Sequence, residues 1–261
     1  MQKKYIFGSS IGIIVFTCAI FGYTQLKQKP ILQSSVETLQ QSLIQAASIA
    51  RPSVVGVFSE QENSYALEDK QWADQEIQKE KQKHIVGSAF FIDKNWYLLT
   101  SKHVVPNTPN SYSVVLDDGR SFPIQTIWMD PDLDLAVLYI WQDKNQISFP
   151  VVTIINDEGI LPIGQFALTI GTPFSQYNNT VSFGNISGIW RTLTLDWGSV
   201  YTWLYQLDIN TNPWNSWGPV VTSDWTVFGI VTAMASQSSH IGFALPISQR
   251  LILNILSKSK K

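Results

Sequence analysis

The chain has 261 residues, 44% of them hydrophobic and 15% charged, and its formal net charge is -2. This length suits one domain with a sizeable core, or two small packed barrels, and excludes several independent domains. Because no basic stripe stands out, we expect no nucleic-acid partner. The single cysteine, Cys18, excludes an intrachain disulfide, so burial and hydrogen bonding must stabilise the fold.

The amino terminus carries an almost uncharged run, residues 5–23, between two pairs of lysines. Its length approaches that of a bilayer-spanning helix. A cleaved signal peptide is the alternative, although no small-x-small site is present near residues 21–24. We expect residues 1–30 to be a transmembrane anchor or signal segment. The remainder would then be extracytoplasmic, either on a single-pass protein of the cell membrane or secreted or periplasmic after cleavage.

The next two segments are a helix and a polar insertion. Residues 31–50 form a linker and lead-in helix, with Glu37 in the first helical turn and Pro52 beyond its end. Residues 59–83 are rich in charge and predict a solvated loop inserted into the domain that spans residues 51–261.

From residue 53 onward, short apolar strands separated by turn residues predict an all-β sandwich or barrel. The predicted strands are 53–58, 85–92, 97–101, 112–118, 122–128, 135–140, 166–171, 180–189, 204–209, 227–235 and 241–246. The apolar spacing of residues 247–258 predicts one terminal amphipathic helix.

Three local patterns suggest acyl-transfer chemistry. His103 directly follows an apolar strand, Asp134 opens a buried strand, and Ser216 lies in a polar loop between strands. Acyl transfer needs a nucleophile, a base and an acid that orients the base, and the order His, Asp, Ser is that of chymotrypsin-type enzymes. The other two histidines, His84 and His240, are expected at the surface, the latter in a loop.

The residues around these three positions resemble the HtrA/DegP family of trypsin-like serine proteases, from about residue 36 to 257. The matching stretches are ARPSVVGV (50–57), VGSAFFI (86–92), LLTSKHVV (98–105), DPDLDLAVL (130–138), LPIGQFALTIGTPF (161–174), TVSFGNISGIWR (180–191), QLDINTNPWNSWGP (206–219) and IGFALPIS (241–248). The resemblance implies a chymotrypsin-like double β-barrel with a short lead-in helix and a C-terminal helix.

The resemblance also implies roles for individual residues. His103 becomes the general base, Asp134 its orienting carboxylate and Ser216 the nucleophile. The oxyanion hole comprises the backbone N–H groups of Trp214 and Ser216, with Asn215 contributing to the loop. The substrate pocket is formed by Ile209, Asn210, Thr211, Ile230, Val231, Thr232 and Ala233.

Substrates and partners follow from the same resemblance. Asn210 stands six residues before Ser216, where trypsin-like Arg/Lys specificity needs an acid, so a small aliphatic P1 residue in unfolded polypeptides is expected. The family usually adds PDZ domains, and none is expected in this chain. Trimers are common in the family, which leaves a homotrimer open. No cofactor is expected, and no metal, since His, Cys and acidic residues show no ligand spacing.

Tryptophan stands where the family has glycine at six of the ten Trp positions. These are Trp96, Trp190, Trp203, Trp214, Trp217 and Trp225. The nucleophile loop itself, N-P-G-N-S-G-G-P in the family, has two of them, where glycine permits a sharp turn and leaves room for the substrate.

Two hypotheses account for these tryptophans. In the first, UGA codons that the organism reads as glycine have been translated as tryptophan. In the second, the chain is an inactive pseudoprotease that serves as a peptide-binding or chaperone module. The triad residues are retained, which favours the first.

Overall fold

The computed structural model describes residues 35–59, 84–106, 112–140, 149–156, 159–172, 179–194, 200–209, 217–235 and 238–259. By their internal contacts, residues divide into a unit Met1–Ile44 and a unit Gln45–Lys261, and every strand described below belongs to the second. The predicted anchor and residues 60–83 of the predicted insertion lie outside the described residues. Among the residues that are described, no helix is both long and apolar enough to cross a membrane.

Residues 35–50 are helical and form α1, within the predicted lead-in segment. A short 3-10 turn, Arg51–Ser53, follows and leads into the first strand.

Six strands close into a barrel in the order β1-β2-β3-β6-β5-β4. They are β1 Val54–Ser59, β2 His84–Phe91, β3 Tyr97–Thr100, β4 Tyr112–Val115, β5 Ser121–Met129 and β6 Ala136–Ile140. Alternate residues of a strand point to opposite faces, so Phe122 and Ile124 of β5 are buried while Pro123 between them is exposed. The barrel interior is one apolar cluster that includes Phe91, Leu98 and Leu138.

The second sheet contains seven strands in the order β11-β8-β9-β10-β13-β12-β7. They are β7 Thr153–Ile154, β8 Phe166–Gly171, β9 Thr180–Thr194, β10 Val200–Asp208, β11 Pro219–Thr222, β12 Thr226–Ala235 and β13 Ser238–Pro246. An additional pairing of β11 with β12 joins the sheet into a ring, to which β7 is attached in parallel. This arrangement confirms the predicted mainly β architecture, and the two rings are consistent with a trypsin-like double barrel.

The chain ends in helix α2, Gln249–Ser259, two residues later than predicted at its start. Ile252, Ile255 and Leu256 are buried at helical spacing and join an apolar cluster that contains residues of both sheets. The apolar face of the helix therefore caps the core common to both sheets.

Several strands differ from their predicted bounds. The short strands β7 and β11 were not predicted, and β9 and β10 extend beyond their predicted ends into a long hairpin. His240 lies in β13 instead of in a loop, although it is exposed as expected.

Gly184 marks a point where two strands approach too closely for a side chain. A Cβ atom there would lie 1.8 Å from the backbone oxygen of Asp208. Gly119, in the turn between β4 and β5, differs, because its φ is +84° but nothing lies within 4 Å of its Cβ position.

We therefore expect Gly184→Ala to lower the free energy of unfolding by more than about 3 kcal/mol, since backbone would have to move. Gly119→Ala is the matched control and should cost only about 1 kcal/mol, for the left-handed backbone alone. Urea unfolding of both variants measures the difference, and equal costs would contradict the close-approach explanation.

Candidate active site

His103 is presented by a 3-10 turn, Lys102–Val104, directly after β3. Val104 and Val105 are buried in the barrel interior, and their packing there anchors the turn to the barrel core. The His103 side chain itself is 36% exposed. The turn thus holds an imidazole at the surface on a rigid apolar base.

Asp134 is held by a loop that Asp130 organises. The Asp130 carboxylate accepts hydrogen bonds from the backbone N–H groups of Asp132 and Leu133, both at 2.9 Å. The ammonium of Lys102 donates to the Asp130 backbone oxygen at 3.0 Å, which ties this loop to the His103 turn. Asp130 and Lys102 were assigned no role from sequence, although Asp-Pro-Asp is a pattern typical of such side-chain-capped turns.

His103 and Asp134 form a close pair. His103 Nδ1 lies 2.7 Å from Asp134 Oδ2, and the His103 backbone N–H donates to Asp134 Oδ1 at 3.2 Å. The Asp134 side chain is only 2% exposed. Two contacts, one to the ring and one to the backbone, fix the orientation of the imidazole.

Two further groups contact the Asp134 carboxylate. The Thr232 hydroxyl, on β12 of the second sheet, donates to Asp134 Oδ2 at 3.0 Å. Burial, followed by the charge of Asp134 and a hydrogen bond to it, raises the pKa of Tyr201 to about 12. The Tyr201 phenol therefore stays protonated. Thr232 was predicted as a pocket residue and not as a partner of Asp134, and Tyr201 was not predicted at all. Neither residue stands near Asp134 in the sequence, so no local pattern indicated these contacts.

Trp217 lies against the His103 ring. The two ring centroids are 5.0 Å apart with an interplanar angle of 74°, and a Cβ atom on Gly87 would lie 2.5 Å from the Trp217 indole. The indole Nε1 is buried and finds no hydrogen-bond partner among the described residues. Ser216, which precedes Trp217, lies outside the described residues, as do Trp214 and Asn215.

The predicted pocket residues are described only in part. Ile209 and Val231 are buried in one apolar cluster of the second sheet, and Ile230 is buried in another. Thr232 is buried and Ala233 is half-buried on the same strand. Asn210 and Thr211 lie outside the described residues. Among the described side chains, no group of three His, Cys, Asp or Glu residues is placed to hold a metal ion.

In this fold of two closed rings of strands, a buried carboxylate orients an exposed imidazole. This is the arrangement of a histidine–aspartate pair in acyl-transfer enzymes. A family model described as a trypsin-like peptidase domain matches residues 87–230, more than half of the chain. The chain therefore belongs to the trypsin-like peptidase family.

Within this family the chain is similar to HtrA-type proteases, as the sequence motifs predicted. It is 34% identical over 170 residues to a protein of Halomonas elongata named as a DegP-like periplasmic serine endoprotease, covering 64% of this chain and 34% of that protein. A serine protease of Synechocystis named HhoA is 31% identical over 267 residues, covering 96% of this chain and 66% of that protein. The chain spans about a third of the length of the DegP-like relatives that it matches.

Solved structures also show similarity to HtrA-type proteases. A structure of the HtrA-type protease AlgW with a decapeptide has a TM-score of 0.64 and 31% identity, covering 82% of this chain and 66% of that chain.

The Tyr201 contact predicts a pH dependence of stability. In the folded chain the pKa of the Tyr201 phenol is raised to about 12, whereas in the unfolded chain it lies near the ordinary value of 10.0. Between these values ionisation favours the unfolded chain, so the free energy of unfolding should fall as the pH rises from about 10 to about 12. Tyr201→Phe should flatten this slope in urea titrations across that range.

Burial also raises the pKa of Tyr205, so the double variant with Tyr205→Phe should be flatter still. An unchanged slope in Tyr201→Phe would contradict the assignment.

Proposed function

We propose that this chain is a serine endopeptidase that cleaves peptide bonds through an acyl-enzyme on Ser216. The observation that carries the proposal is the 2.7 Å contact between His103 Nδ1 and the buried carboxylate of Asp134. A carboxylate on Nδ1 holds the proton there and leaves Nε2 as the base, which is the arrangement that acyl-transfer triads require. Ser216 directly precedes Trp217, whose ring contacts His103, and this supports Ser216 as the third member.

The proposed reaction has two halves. In the first, Ser216 Oγ attacks the scissile carbonyl carbon while its proton passes to His103 Nε2. The carbon–nitrogen bond then breaks, and the amine leaves with that proton. In the second, water attacks the Ser216 ester in the same way and releases the carboxylic acid and the free hydroxyl. Throughout, the Asp134 carboxylate stabilises the imidazolium that forms.

Charge on the tetrahedral intermediate needs backbone donors. We assign these to the N–H groups of residues 214 and 216, with Asn215 shaping the loop. A single donor of this kind contributes on the order of 3 kcal/mol to the transition state.

We further propose unfolded or extended exported polypeptides as substrates, with a small aliphatic side chain in a pocket formed by Ile209, Asn210, Thr211 and residues 230–233. The buried apolar character of Ile209, Ile230 and Val231 supports an uncharged pocket. Relatives named as periplasmic support an extracytoplasmic site of action, and the HtrA-type neighbour solved with a decapeptide supports peptide substrates. Residues 5–23 are proposed as the membrane anchor, and a homotrimer as the assembly.

A second candidate function, peptide binding without catalysis, is favoured by one observation. The Trp217 indole lies edge-on against His103 and has a buried N–H without a partner among the described groups. An indole in this position crowds the space that a serine–histidine contact needs. With tryptophan at 214 and 217, the chain would bind unfolded peptides without cleaving them.

A fluorophosphonate probe tests the proposed function on the full chain, made both as written and with Trp214→Gly/Trp217→Gly. We expect the glycine form to be labelled on Ser216 and to degrade casein. Adding Ser216→Ala should abolish both, and Asp134→Asn should lower kcat by about 10⁴-fold, because the wrong imidazole tautomer is then favoured.

Asp132→Asn, which changes an exposed carboxylate two residues from Asp134, is the matched control and should leave activity unchanged. Absence of labelling in both forms, with peptide binding retained by Ser216→Ala, would establish the non-catalytic function instead.

A further inference from the structure

Tryptophan dominates the left-handed region of this backbone. The structure describes six of the ten tryptophans, and five of them have a positive φ angle. These are Trp96 (67°), Trp190 (57°), Trp203 (65°), Trp217 (78°) and Trp225 (60°). Trp128, in β5, is the one described tryptophan outside this set.

Tryptophan has no reason of its own to adopt this conformation. In the left-handed region the Cβ atom of an L-residue crowds the following carbonyl oxygen, and only glycine, or at times Asn and Asp, enters it routinely. A bulky residue there is an outlier. Five such residues of one type indicate that the backbone was shaped for glycine at these positions.

The local structures are those that glycine normally occupies. Trp225 is the third residue of a three-residue hairpin loop between β11 and β12, and its N–H donates to the Thr222 oxygen at 3.1 Å. In such loops a type I turn is followed by a left-handed glycine. Trp96 likewise ends the loop between β2 and β3, directly before Tyr97.

Trp190 and Trp203 lie at bulges in the hairpin of β9 and β10. The register gains one residue on β10 between Tyr201 and Leu204, and one on β9 between Gly188 and Arg191. A bulge residue in the left-handed conformation is typically glycine. Both indoles project from the hairpin, where they are 49% and 64% exposed and contact each other edge-on at 5.0 Å.

Backbone strain that serves an active site does not explain these five left-handed tryptophans. Strained residues cluster at active sites, and Trp217, beside His103, fits that pattern. Trp96, Trp190, Trp203 and Trp225 instead lie in hairpin loops and bulges, and none contributes to the contacts of the His103–Asp134 pair.

We infer that residues 96, 190, 203, 217 and 225 are glycine in the protein as its own cell makes it. Tryptophan stands there because a codon that the cell reads as glycine, UGA, has been translated as tryptophan. The inference extends to residue 214, which stands three positions before residue 217 in the sequence and where the resembling family also has glycine. Trp128, half-buried in an extended strand and packed against the core, is a genuine tryptophan. The inference concerns residue identity and is independent of whether Ser216 is acylated.

The first test reads the natural protein. The gene is expected to carry UGA at codons 96, 190, 203, 214, 217 and 225, and UGG at codon 128. Tryptic peptides of the protein isolated from its own cells should be lighter at each of the six positions by the difference between a tryptophan and a glycine residue. Tryptophan in the native peptides at positions 96, 190, 203, 217 and 225 would overturn the inference.

The second test measures whether the backbone at these positions favours a residue without a Cβ atom. In the full chain made with the standard code, Trp190→Gly/Trp203→Gly/Trp225→Gly is compared with the matched alanine triple variant. Both remove the exposed indoles, but only alanine keeps a Cβ atom. We expect the glycine triple variant to melt higher by about 3 °C per position. At the strand position 128, Trp128→Gly should instead melt below Trp128→Ala. Equal melting of the two triple variants would contradict the backbone argument, and the peptide masses decide the matter even if a recombinant form fails to fold.

Discussion

The arrangement of the candidate site depends on one buried carboxylate. Asp134 is almost fully removed from water, and an ionised carboxylate in such a place must have its oxygens satisfied by donors. The donors come from both halves of the fold: the ring and backbone of His103 on the closed barrel, and the Thr232 hydroxyl on the second sheet. Because His103 Nδ1 on the barrel and the Thr232 hydroxyl on the second sheet both contact Oδ2, displacement of one sheet against the other would take one donor away from a buried charge. The surroundings of the carboxylate that orients the imidazole therefore depend on how the two sheets pack.

Much of the fold follows from the sequence because strands buried on one or both faces leave clear apolar patterns. Strands β2, β8 and β12 lie close to their predicted bounds for this reason. The parts that could not be predicted have weak local signals. β7 has two residues and β11 begins with a proline, so neither forms a recognisable run. The outer part of β9 and β10 is exposed and is held by pairing across the hairpin, which sequence periodicity does not reveal.

The site could be predicted at the residues that define its chemistry and not at those that position them. His103 and Asp134 each stand at the end of an apolar strand, and the structure brings them together. Thr232 reaches Asp134 across 98 positions of sequence, and no local pattern encodes such a contact. The tryptophans differ, because the sequence did identify their positions as unusual. The reason became visible only in the structure, where the backbone has a positive φ angle at five of them.

The bulges in the hairpin of β9 and β10 also bear on self-association. In the described part of the second sheet, most strand edges are covered by neighbours, but the outer residues of this hairpin pair only with each other. A flat strand edge of that length is a template on which another extended chain can add. The left-handed residues 190 and 203 interrupt the pairing on both strands and twist the edge away from the geometry that such addition needs. The two bulges thereby keep this exposed hairpin edge from serving as a surface for aggregation.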